Sequence, residues 1–85
     1  MTAINVEMEK PMEQLTRMLR GAMEGLHGGD LLALTVVGAM PYPMKDGKYV
    51  VTYNLRLRGR PPIMLAKVVV DLGRGEVEEY EPDLL

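Results

Sequence analysis

Seven cations between Lys45 and Arg74, followed by five carboxylates after Gly75, are the residues whose types and spacing suit chemistry, and that chemistry is binding. Arg56 and Arg58 stand at alternate positions behind Lys48, Arg60 follows two residues later, and Lys67 lies in the next apolar segment. Cations spaced in this way on one surface can neutralise successive phosphates. With only Asp46 and Asp71 among them, residues 45–74 carry a net +5. Residues 75–85 carry −5, through Glu76, Glu78, Glu79, Glu81 and Asp83, and the first 44 residues carry −2. The overall charge of −2 therefore conceals a strongly dipolar chain.

Bond-making chemistry has few candidates. Ser and Cys are absent, which leaves only four Thr and four Tyr as hydroxyl nucleophiles and excludes thiolate metal ligands and disulfides. His27 is the one histidine, so a zinc site built on several imidazoles cannot form within one chain. His27 and Asp30 are close enough in sequence to pair, but a helix-end His beside a turn Asp suits a surface contact. Gly28-Gly29 lacks the strand–loop–helix order of a phosphate cradle. No enzyme activity, cofactor or metal is expected.

The elements that must position these charges can be read from hydrophobic periodicity. From Lys48 to Arg58, Tyr49, Val51, Tyr53, Leu55 and Leu57 alternate with Lys48, Thr52, Asn54, Arg56 and Arg58, and Val50 is the only apolar residue in the second set. Strand side chains point alternately to opposite faces, so this is a sheet strand with one buried face and one wet, basic face. A helix is expected from Pro11, with Met12, Leu15, Leu19, Ala22, Met23 and Leu26 in one stripe and a stop at His27-Gly28-Gly29. Gly21 and Gly25, with Met18, form a smooth uncharged flank where another backbone can approach.

Residues 31–40 are apolar at nearly every position, which predicts a central strand, or one covered partly by a second subunit. Lys45-Asp46-Gly47-Lys48 reads as a hairpin turn with positive φ angles at Asp-Gly. Met64, Ala66, Val68, Val70 and Leu72 form one face of a third strand, and residues 76–81 a short last one. Residues 2–8 alternate weakly, as in a short edge strand or an ordered arm with little structure of its own. The fold class predicted is α+β: one helix packed on an antiparallel meander of three to five strands, in the order β-α-β-β-β with room for a further edge strand. Residues 1–81 are expected to form one domain, and residues 82–85 to fray.

This layout is similar to the helix-over-meander arrangement of cystatin-like and PepSY-like domains, and Val68–Val77, VVVDLGRGEV, resembles the closing hairpin of the latter. Cystatin inhibitors carry a QxVxG hairpin, whereas Thr35-Val36-Val37-Gly38-Ala39 lacks both the Gln and the final Gly. The resemblance implies the fold and carries no activity with it.

The composition has eight Met and no Phe or Trp, so the core is adaptable and the larger stacking platforms of single-strand binders are missing. No run of apolar residues is long enough to span a bilayer, and a cytoplasmic, non-membrane protein is expected. The functional expectation is a small non-catalytic, regulatory protein-interaction module, acting as a homodimer and binding a protein partner. Its expected contacts are Met18, Gly21 and Gly25 on the helix, and Glu76, Glu78, Glu79 and Glu81 on the last strand. The alternative is a nucleic-acid-binding protein that uses Lys48, Arg56, Arg58, Arg60 and Lys67.

Overall fold

A computed structural model describes residues 3–81, with side chains from Pro11 onward. One helix, α1 (Ala3–His27), is followed by a turn of 3-10 helix at Gly28–Asp30 and four strands. The strands are β1 (Leu31–Pro41), β2 (Lys48–Leu57), β3 (Ile63–Asp71) and β4 (Glu76–Glu79). They form one antiparallel sheet in the order β1-β2-β3-β4, so the α+β meander is present with four strands. Among the described residues no helix is long and apolar enough to cross a membrane.

The sequence expectation fails at the N-terminus. Residues 3–8 belong to α1, and the helix runs through Pro11 instead of starting there. Pro11 has no N–H to give the carbonyl four residues back, which normally weakens a helix interior. Glu7, Met8, Glu9 and Lys10 are all good helix formers, however, and an alternation of only five residues does not outweigh them. Thr2 and residues 82–85 lie outside the described residues. The C-terminal stop is as expected, with Gly28 at φ +57°.

The helix lies on the face that carries Tyr49, Val51, Tyr53, Leu55 and Leu57. Leu15, Leu19 and Met23 pack there with Leu34, Val51, Tyr53, Leu55, Leu57, Val68 and Val70 in one buried cluster. Each fully buried Leu or Val contributes about 1.5–3 kcal/mol relative to exposure. Met12 and Leu26, placed in the apolar stripe by sequence, are instead exposed. Met18, placed on the smooth flank, is half-buried against the cluster.

Two β-bulges explain why β1 is apolar throughout. The residues of β1 paired with the inward set of β2 are Leu31, Leu34, Val36, Ala39 and Pro41, at spacings of three, two, three and two. Register shifts between Leu31 and Ala33 and between Val36 and Gly38 leave Leu32 and Val37 as extra residues. β3 behaves similarly, because Ile63 and Ala66 face Leu55 and Tyr53 while Met64 and Leu65 bulge between them. Met64, expected on the core face, is therefore exposed. Leu65 adopts φ +57°, and its N–H donates to Asn54 Oδ1 at 3.0 Å, which holds the bulge.

The β1–β2 connection departs from the single hairpin turn expected. Two turns follow one another, closed by Lys45 N–H to Tyr42 O and Lys48 N–H to Lys45 O. Each has a positive φ at its third residue, Met44 in the first and Gly47 in the second, while Asp46 has none.

At the β3–β4 hairpin, Asp71 is the one buried charged residue among those described. Its Oδ1 accepts the Arg74 N–H at 3.0 Å, and its carbonyl accepts Gly75 N–H at 2.8 Å, so it ties the β3–β4 turn. Asp71→Ala is expected to lower the unfolding free energy by about 1–2 kcal/mol, whereas Asp71→Asn, which keeps the acceptor, loses much less. Urea midpoints of the two variants check this.

Tyr53, buried between Val36 and Ala66 in the sheet register, has its hydroxyl pKa raised above the ordinary 10.0 by desolvation. The folded state therefore favours the protonated phenol. Its contribution is complete below pH 10 and is lost as pH rises from about 10 through the higher folded value. Stability measured above pH 10 should fall less steeply in Tyr53→Phe than in the native sequence.

Candidate functional site

The basic row predicted for the outer sheet face is divided by the fold into two groups with different surroundings. Lys48 Nζ lies 3.2 Å from Glu78 Oε1, so an acid of the last strand engages the first cation. Both side chains are partly shielded from water. Lys67 Nζ stands 5.7 Å from the centre of the Tyr80 ring, within cation–π range. Arg56, Arg58 and Arg60 are exposed at the opposite end of β2 and in the loop after it. The five predicted cations therefore do not form one continuous stripe.

The acidic residues are likewise separated by role. Glu76, Glu79 and Glu81 are exposed, while Glu78 is half-buried in its contact with Lys48. Glu76, Glu78 and Glu79 belong to β4, which forms one edge of the sheet, and Glu81 follows that strand. On the helix, Gly21 and Gly25 are exposed, and a side chain added at either would meet nothing within 4 Å. That flank is open at the two glycines, and Met18 beside them is half-buried against the core cluster. His27 is half-buried and Asp30 exposed; no side-chain hydrogen bond joins them, and the Asp30 backbone carbonyl accepts the Arg58 N–H at 2.8 Å. Among the described residues no group of three or more His, Cys, Asp or Glu is arranged to hold a metal ion.

The feature that sequence reasoning missed is the exposed apolar edge of the sheet. Of the two expectations for residues 31–40, a central strand or one covered partly by a second subunit, the first does not hold: β1 is an edge strand, with no strand beyond it among the described residues. Only Leu34 of its eleven residues is buried, and Leu32, Val37 and Met40 are large exposed apolar side chains. From Leu31 through Met44 the chain contains no charged residue. This is the sequence signal that marks the surface, because an exposed edge usually carries charges that discourage pairing.

Two grooves run from β1 across the sheet to β3 and beyond. One is lined by Ala33, Thr35, Asn54, Arg56, Pro62 and Met64. The other, larger groove is bordered by Met40, Tyr42, Met44, Val50, Lys67 and Tyr80. Val69, paired with Val50, is 2% exposed although it lies outside the main core cluster, so this face also buries some apolar surface of its own. Among the described residues Met44 and Leu65 are the two non-glycine residues with positive φ, and both present large exposed apolar side chains. Such a backbone costs roughly 1–2 kcal/mol for an L-residue, and Met44, fully exposed, recovers none of that by burial within the chain.

No protein-family model, curated protein or solved structure matches the chain.

Proposed function

We propose that this chain is a non-catalytic protein-interaction module that acts as a homodimer and presents its outer sheet face to a protein partner. The observation that carries the reading is β1: an eleven-residue edge strand without a charged residue, bearing exposed Leu32, Val37 and Met40. A monomer leaves this edge and these side chains in water, which is unfavourable for apolar surface and for unpaired strand backbone. Met44 in the β1–β2 connection and Leu65 at the bulge of β3, both exposed with positive φ, extend the same apolar character beyond β1. Mass measured by light scattering at tens of micromolar tests the homodimer. Twice the chain mass is expected, and a single chain mass removes that part of the reading.

Nucleic-acid binding is supported by one specific observation, the exposed cluster Arg56, Arg58 and Arg60. The engagement of Lys48 by Glu78 and of Lys67 by Tyr80 favours the first reading over it. Fluorescence anisotropy with labelled DNA and RNA at low and physiological salt separates the two. Saturable, salt-sensitive binding that is lost on combining Arg56→Ala with Arg58→Ala would favour the nucleic-acid reading.

A further inference from the structure

We propose that two copies of this chain join along β1, antiparallel about a two-fold axis within Ala33–Val36, into one continuous eight-stranded sheet. This inference rests on the homodimer reading and specifies its geometry. The outer edge of β1 has no strand partner among the described residues, and its eleven residues offer roughly 37 Å of backbone at about 3.4 Å per residue. A second strand of similar length would satisfy the outward N–H and C=O groups.

The charge pattern selects a second copy as the occupant. Pairing a strand with itself about a two-fold axis sets its residues against residues of the same strand, so a charge near the axis meets its like. Leu31–Met44 contains no Asp, Glu, Lys or Arg, and self-pairing therefore meets no repulsion. It also has no charge with which to select a charged partner strand. The opposite edge behaves in the reverse way. β4 is four residues long and carries Glu76, Glu78 and Glu79, so two β4 strands brought together would oppose carboxylates. With one edge self-compatible and the other self-repelling, association stops at two copies and does not continue into a fibre.

The bulges locate the axis. Leu32 and Val37 interrupt the register with β2, and the four residues between them, Ala33 to Val36, pair without interruption with Arg56 to Tyr53. Bulges increase local twist, so strand stretches beyond them diverge from a neighbour while the stretch between them can run beside it. Ala33 and Thr35 are small and exposed, which permits close approach on the outer face, and Leu34 is buried on the helix side.

The native absence of Cys makes the test direct, because any introduced thiol reports alone. Full-length Ala33→Cys, Thr35→Cys and the double variant are treated with a mild oxidant or a short bis-maleimide, beside Gly21→Cys on the helix and Glu79→Cys on β4. These five variants change exposed positions, and circular dichroism checks that each retains the native spectrum. At least one β1 variant should form a covalent dimer ten or more times faster than either control, since facing positions across paired strands lie within disulfide reach. A dimeric mass with cross-linking only at Gly21→Cys or Glu79→Cys, or at no position, overturns the β1 geometry and leaves the homodimer. A monomeric mass without β1 cross-linking overturns both.

Discussion

Leu19→Ala is expected to lower the unfolding free energy by about 2–5 kcal/mol, the largest stability effect of any substitution considered for this chain. Leu19 is completely inaccessible to solvent and lies between Leu15 and Met23 on the buried side of α1. Truncation removes the transfer energy of its side chain and opens a cavity between the two layers that neighbouring groups fill only in part. A domain of 85 residues holds roughly 4–13 kcal/mol in total, so the loss is a large share of the whole. Urea unfolding followed by circular dichroism should show a much lower midpoint. Met12→Ala, on the same helix but exposed, should change the midpoint little. A small loss for Leu19→Ala would mean that the helix is not what covers the sheet.

Thr35→Lys is expected to have the largest effect on assembly. Thr35 is exposed and pairs with Asn54 in the interior of the sheet register, so a lysine there can extend into water without disturbing the core. In the β1-paired dimer it brings two ammonium groups together near the two-fold axis. At 5–6 Å, and with an effective dielectric constant near 20, like charges repel by about 3 kcal/mol. Partial hydration reduces that figure, and a rise of ten-fold or more in the dimer dissociation constant is the expected result. Lysine and other charged side chains on an edge strand are one way that native sheets avoid pairing. Light scattering across a dilution series reads the constant, and the urea midpoint at fixed low concentration checks that folding is intact. Glu76→Lys, on the opposite edge, should leave the constant unchanged.

The parts of the fold that were legible in the sequence are those where one face of an element is buried and its period runs unbroken. Tyr49, Val51, Tyr53, Leu55 and Leu57 alternate without interruption, and Val51, Tyr53, Leu55 and Leu57 are buried in the core. Leu15, Leu19 and Met23 follow a helical period and are buried together. Illegibility began where the period breaks. Each bulge in β1 shifts the phase by one residue, so a one-sided strand acquires apolar residues at both parities and resembles a central one. The same shift in β3 sets Ile63, and not Met64, opposite Leu55 in the register, and both are exposed.

A misplaced element also concealed the edge. With residues 2–8 read as a strand, β1 had a neighbour available; with residues 3–8 in α1, a four-strand meander makes β1 an edge by topology alone. The charged residues were legible as types but not as contacts. The spacing of Lys48 and Lys67 shows that they share a face, yet the Glu78 and Tyr80 that meet them come from the far end of the chain. Pairings over such separations follow from strand order, which local patterns do not encode.

Amide hydrogen exchange of β1 at high and low protein concentration tests the pairing of this edge most directly. Self-pairing predicts that the outward amides within Ala33–Val36 are protected at high concentration and exchange faster on dilution, while those of β4 do not respond. Fast exchange of these outward β1 amides, unchanged over the whole concentration range, would contradict it.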